Sequence, residues 1–242
     1  MAGSQNTYAS LIGKFRNGLT VLQSWADYLP SNPSIQTATL IALENEVETK
    51  NTAVSVTESD YLNKTFERKK LFYYNKNIDN RLCFEYRLSQ ITNYVNSLGD
   101  EAEVAYDMLH AIQKRFIPGL NKKKLEDGTY KTVTPQNRTY ASLSGFLTET
   151  IGIITSVNTH TPYNPPDPNT SIVAMENLFA QIEAANSAAG TAHENWGTAV
   201  TDRKAVYKTM SKNITLIKNY LASFDGAKKS DHYIGFVQAV KG

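Results

Sequence analysis

Cysteine occurs once in these 242 residues, at Cys83, which excludes an intramolecular disulfide, and no CxxC pair or Cys/His cluster offers zinc spacing. That lone thiol reads as a small buried apolar side chain and not as a nucleophile. Excess charge of one sign is also missing. Twenty-five Lys and Arg face 23 Asp and Glu, a formal net charge of +2, so no global field draws the chain to nucleic acid or to acidic membranes. No apolar run approaches the ~20 residues that a membrane-spanning helix needs. The best candidate, GFLTETIGIITSV at 145–157, is short and carries Thr148, Glu149 and Thr150, so it reads as an ordinary amphipathic helix. The opening MAGSQNTYAS has no charged and apolar regions of a secretory signal. Cytoplasmic residence is the default expectation; leaderless export or a processed secreted form would read the same way.

Catalytic signatures are lacking as well. There is no phosphate loop ending in GK[ST], no GxGxxG, no HExxH, no GxSxG and no EF-hand loop. His110, His160, His193 and His232 are scattered, and adjacent His193 and Glu194 would point about 100° apart on a helix, too far to share a metal. Alternating Glu44, Glu46 and Glu48 read as a solvated helix face. No catalytic, cofactor-binding or metal-ligating residue is assigned, and no cofactor is expected. The chain reads as leaning away from an enzyme, although a site gathered from residues distant in sequence would leave no motif. Four N-x-[ST] matches, at Asn63, Asn137, Asn169 and Asn213, are expected by coincidence in so Asn- and Thr-rich a chain.

What the sequence does contain is repetition. TYASL occurs at 7–11 and again at 139–143. Laid over each other from there, Gly13 falls on Gly145, Ser24 on Ser156 and Pro30 on Pro162, while Phe15, Leu19, Leu22 and Trp25 fall on Leu147, Ile151, Ile154 and Val157. Positions 8, 11, 15, 19 and 22 step by three or four, the spacing of one helix face. Both copies then enter proline-rich stretches, LPSNPS at 29–34 and TPYNPPDPNTS at 161–171, and resume with Ser-Ile, which makes Ser34 and Ser171 candidate helix N-caps. Later, ITNYVNSL at 91–98 matches IKNYLASF at 217–224 with a smaller offset, so the second copy lacks several residues in its middle.

The fold class expected is all-α: two related helical-bundle units from an internal duplication, with long helices. Residues 1–117 form the first repeat unit, 118–138 a connector and 139–242 the second, the two units packing separately or as one domain. Between Pro33 and Gly99 there is neither glycine nor proline. One interruption is expected at 75–80, NKNIDN; another, at Ser55 with Glu58 in capping-box spacing, is as defensible as a helix running straight through. The alanine-rich stretch around Gly190 and Gly197 reads as helix that needs packing. Strand signals are confined to the connector, where Asp127-Gly128 flanked by Leu125, Tyr130 and Val133 reads as a short β-hairpin.

Two sets of residues stand out. Tyr8, Leu11, Tyr140, Leu143, Tyr94 and Tyr220 recur at matched positions and are expected to serve structure, with rings buried against neighbouring helices. Arg68, Lys69 and Lys70, running into LFYY, and Lys122, Lys123 and Lys124 form a basic patch candidate, in which cations and aromatics interleave. The function this supports is a non-catalytic helical protein acting through protein–protein interaction, self-assembly into a structural homo-oligomer included. A nucleic-acid-binding module using those basic residues is the alternative, disfavoured by the balanced charge.

Overall fold

With no proline or glycine to stop it, the chain after Pro33 can continue as helix for many turns, and it does. A computed structural model describes residues 2–117, 122–124, 130–132, 139–224 and 230–241, with side chains for all of these except 2–7 and the two short strands. The described residues form α1 (Ala2–Gln23), α2 (Thr37–Phe72), α3 (Phe84–Asn96), α4 (Glu103–Phe116), β1 (Lys122–Lys124), β2 (Tyr130–Thr132), α5 (Tyr140–His160), α6 (Ile172–Ala222) and α7 (Asp231–Lys241). The fold is all-α in every layer. β1 and β2 pair antiparallel over three residues, Lys122 opposite Thr132, while Asp127, Gly128, Leu125 and Val133 lie outside the described residues.

α2 passes through Ser55 without a break, so of the two readings left open there the uninterrupted helix is the one present. Three of its threonines turn back on their own helix: Thr49, Thr52 and Thr57 each donate to the carbonyl four residues earlier, so these hydroxyls do not compete with the ladder. The interruption expected at 75–80 is present. Asn80 makes it, with its side-chain amide donating to the carbonyls of Lys70 and Tyr73 at the end of α2 while its oxygen accepts from the Asn75 amide. α6 has no such break and runs 51 residues.

The chain divides into two compact units. The first comprises Met1–Tyr61 and Ala192–Gly242, the second Leu62–Thr191, so the division falls inside α2 and inside α6. In the first unit, Phe15, Leu19 and Leu22 of α1 pack with Leu40, Leu43, Val47, Met210, Ile217, Leu221 and Phe236. The core-facing stripe of α1 includes Ile12, at 9% exposure, and leaves Leu11 at 38%, so the expected face is displaced by one residue there. In the second unit, Phe84, Leu88, Ile91, Leu109, Ile112, Phe116, Leu147 and Ile154 are fully buried.

Each unit contains the same reversal. The Tyr28 hydroxyl donates to the Ile35 carbonyl at 2.6 Å, and the Tyr163 hydroxyl to the Thr170 carbonyl at 2.9 Å, each seven residues downstream. Burial pushes both phenols well above their ordinary ionisation range. Between them sit single 3₁₀ turns, Pro33–Ile35 and Pro168–Thr170, capped by Asn32 accepting from the Ser34 amide and by Asp167 accepting from the Asn169 amide. A side chain from a nearby helix then ties down each turn: Asn213 donates to the Ser34 carbonyl, and Arg87 to the carbonyls of Asn169 and Ala174. Ser34 is therefore inside a turn and caps nothing, which corrects one of the two expected N-caps. Ser171 does accept from the Ala174 amide at the start of α6. Asn213, one of the N-x-[ST] matches, is buried.

Helix approach differs between two glycines of the first unit. A Cβ added at Gly18 of α1 would lie 2.8 Å from Val240 and 2.9 Å from Phe236 of α7, so only glycine permits this contact. Gly197 in α6 has open space around it. Gly18→Ala is thus expected to destabilise by about 1–3 kcal/mol through overpacking, whereas Gly197→Ala gains about 0.5–1 kcal/mol by removing backbone freedom from the unfolded chain. Urea unfolding of the two variants beside the native protein checks the opposite signs.

The Asp167 carboxyl is held below its ordinary 3.8, chiefly by the Asn169 backbone amide; burial opposes this, and the Asn169 and Gln90 amides and the Arg87 charge add to it. A depressed folded-state value means that the unfolded chain binds the proton more readily, so the stabilisation is complete above the ordinary value and is lost as pH falls through the folded one. Asp167→Asn, which copies Asn32, should flatten the acid limb of a thermal-unfolding titration that the native protein shows below about pH 4.

Candidate functional site

A concave surface in the second unit lies between the first turns of α4 and the last turns of α5. Gly99, at a φ of 78° that favours glycine, turns the chain out of α3 into a 3₁₀ turn, Asp100–Ala102, and then into α4. Asp100, Glu101 and Glu103 stand at this helix start, where the helix dipole favours carboxylates. Leu109, Ile112 and Phe116 are the buried stripe of α4. Val104 and Met108 lie on its shoulder and remain 75% and 47% exposed.

Across from them α5 presents Glu149, Gly152, Ile153, Ser156, Val157 and His160. The cavity between the two helices holds about 390 Å³, the size of a typical ligand or side-chain pocket. Its floor is apolar, from Ala105, Ile153 and Val157, and its rim carries the carboxylates of Glu101 and Glu149. Glu101 accepts from the Thr161 hydroxyl at 2.9 Å, which fixes one side of that rim.

In the TYASL alignment α1 of the first unit takes the place of α5, and it packs closely on α7. Gly18 lets α7 close onto α1, while its counterpart in the TYASL alignment is Thr150, fully buried with its hydroxyl on the Phe146 carbonyl. Trp25 fills the end of that pair, its ring centroid 4.9 Å from His232 and 5.2 Å from Phe224. In the second unit Val157 stands at the aligned position and lines the cavity instead.

The basic candidates separate. Arg68 donates to the Asn186 side-chain oxygen at 2.6 Å and lies 6.0 Å from the Tyr140 ring centroid. Lys70 pairs with Glu67 at 2.9 Å and sits 5.6 Å from the Phe66 ring centroid. Lys69 is exposed. The side chains of Lys122, Lys123 and Lys124 lie outside the described residues. A second cavity, about 510 Å³, is formed where α2 ends, with Phe66, Lys69, Lys70, Tyr73, Tyr74 and Lys76 among its walls. Tyr73 is stacked on Phe116 at 5.3 Å and Tyr74 lies against Tyr86 at 5.7 Å, so these two rings are already engaged by the protein.

The repeated tyrosines occupy like settings. Tyr8 lies under the Arg203 guanidinium, 4.1 Å from its ring centroid, and against Tyr207 at 4.5 Å. Tyr140 lies near Arg68 and edge-on to Phe72 at 6.3 Å. Tyr94 meets Tyr163 edge-to-face at 5.4 Å, and Tyr220 meets Tyr28 in the same way at 5.5 Å. Leu143 is buried, whereas Leu11 is not. Arg203 is itself 4% exposed, and its Nε and Nη1 have no hydrogen-bond partner among the described residues.

Cys83 is buried, and burial pushes its thiol up, the opposite of what a nucleophile requires. Among the described residues no group of three or more His, Cys, Asp or Glu side chains is placed to hold a metal. Nor is any helix there long and apolar enough to cross a membrane.

The groove residues Glu101, Val104, Met108, Glu149 and His160 were not singled out from the sequence. The available signal was Val104 and Met108, apolar residues four apart that fall beside the buried stripe. Which helix they would face is a tertiary fact. No family model, curated protein or solved structure matches this chain.

Proposed function

We propose that this is a non-catalytic helical protein that acts by binding other proteins, copies of itself included, and that it arose by duplication of one helical unit. The observation that carries the binding part is the α4–α5 groove: an apolar floor left uncovered beneath Val104 and Met108, with carboxylates only at its rim. An uncovered apolar surface of this kind in a folded unit is a marker of association. The duplication part is supported by the paired settings: Tyr28 with Tyr163, Tyr220 with Tyr94, Tyr8 with Tyr140, Asn32 with Asp167. Two related units on one chain give heterologous contacts, which build rings or open filaments.

Light scattering after gel filtration over a concentration series tests the assembly reading. The expected outcome is a weight-average mass that climbs with concentration; a monomer throughout removes self-assembly and leaves only a foreign protein partner, to be sought by pull-down.

The nucleic-acid alternative is favoured by the cavity that joins Lys69, Lys70 and Lys76 to Phe66. Its two other rings, Tyr73 and Tyr74, are committed to Phe116 and Tyr86. A gel shift with single-stranded DNA and RNA at low and moderate salt is expected to show no retardation; a low-salt shift abolished by Lys69→Glu with Lys70→Glu would instead support this alternative.

A further inference from the structure

We infer that the occupant of the α4–α5 groove is the exposed face of α2 from a second copy of this chain, giving a head-to-tail contact. This rests on the protein-binding reading above and specifies its two surfaces. The groove has an apolar floor, with the carboxylates of Glu101 and Glu149 among its walls beside the polar Ser156 and His160. The complementary surface is apolar with a basic border. Leu62 and Phe66 of α2 are 58% and 47% exposed, and Lys69, exposed, and Lys70, paired with Glu67 at 2.9 Å, follow on the same side of the helix at three- and four-residue steps. Such a stripe matches helix-in-groove recognition, in which large apolar side chains enter the groove and charges set the register.

The two surfaces lie at opposite ends of the same helices, so one copy can use both at once. Tyr73 stacks on Phe116 at the C-terminal end of α4, and Phe72 meets Tyr140 at the N-terminal end of α5. The groove is built by Val104 and Met108 near the start of α4 and by residues from Glu149 to His160 late in α5. A helical rise of 1.5 Å per residue puts roughly 15–20 Å between them. A contact between two different patches does not close on itself as a symmetric dimer does, so it propagates.

Charge reversal on either surface leaves the buried stripes untouched and makes the contact repulsive. Sedimentation velocity over roughly three decades of concentration reads the outcome. The native chain is expected to grow past dimer. Glu101→Lys with Glu149→Lys, and separately Lys69→Glu with Lys70→Glu, are each expected to weaken association at least ~10-fold. An equimolar mixture of the two variants should associate within ~3-fold of the native chain, because each then offers the other an opposite charge. Circular dichroism and unfolding midpoints matching the native chain show that both variants fold.

Native self-association that neither variant weakens would overturn the inference while leaving the self-assembly reading intact. So would a mixture that stays as weak as its components. A native chain that remains monomeric at every concentration overturns both. If such a monomer binds an unrelated basic amphipathic peptide through Glu101 and Glu149, the groove serves a foreign partner and the second-copy assignment is overturned.

Discussion

The tyrosine hydroxyl that reaches a carbonyl seven residues ahead is the interaction on which each unit's helix arrangement depends. Proline-rich segments at 29–34 and 161–171 cannot continue a helix, and their carbonyls would be left without donors in a buried reversal. Tyr28 and Tyr163 supply those donors, and Asn213 and Arg87 supply a second one from a neighbouring helix. With the reversal fixed, the direction in which α2 leaves α1, and α6 leaves α5, is fixed too. An unmade hydrogen bond there would cost about 1–3 kcal/mol, a large share of ordinary folding stability.

Around these two reversals the helix packing differs at a few side chains. Where α1 carries Gly18, α7 closes onto it and Trp25 seals the end. Where α5 carries Thr150 and Val157, α4 and α5 enclose a cavity with an open mouth. The functional reading follows from packing: the α4–α5 pair leaves apolar atoms in water, beside carboxylates already favoured at a helix start.

Much of the local structure was legible in the letters. Glycine- and proline-free spacing announced the long α2, and the polar Asn75–Asn80 stretch marked its end because asparagine can satisfy helix-terminal carbonyls. Ser55 left two readings open because a capping-box spacing is also compatible with a helix interior, where hydroxyls fold back on their own helix as those of Thr49, Thr52 and Thr57 do. Ser34 misled because the sequence alignment followed Ser-Ile pairs, whereas the hydrogen bonds align Tyr28 with Tyr163 and put Asn32 and Asp167 at the caps.

By itself, then, the sequence determined the helical class, the presence of long helices, the lack of an intramolecular disulfide and the recurring tyrosine positions. Each of these is set by bonding within a few residues of the chain: periodicity, breakers and caps. Only the tertiary structure decided that the compact units draw on Met1–Tyr61 with Ala192–Gly242 and on Leu62–Thr191, and that Val104 and Met108 face α5 across a cavity. Those outcomes depend on how closely two distant helices approach, and that distance is set by side-chain volumes such as Gly18 against Thr150, which no local pattern encodes.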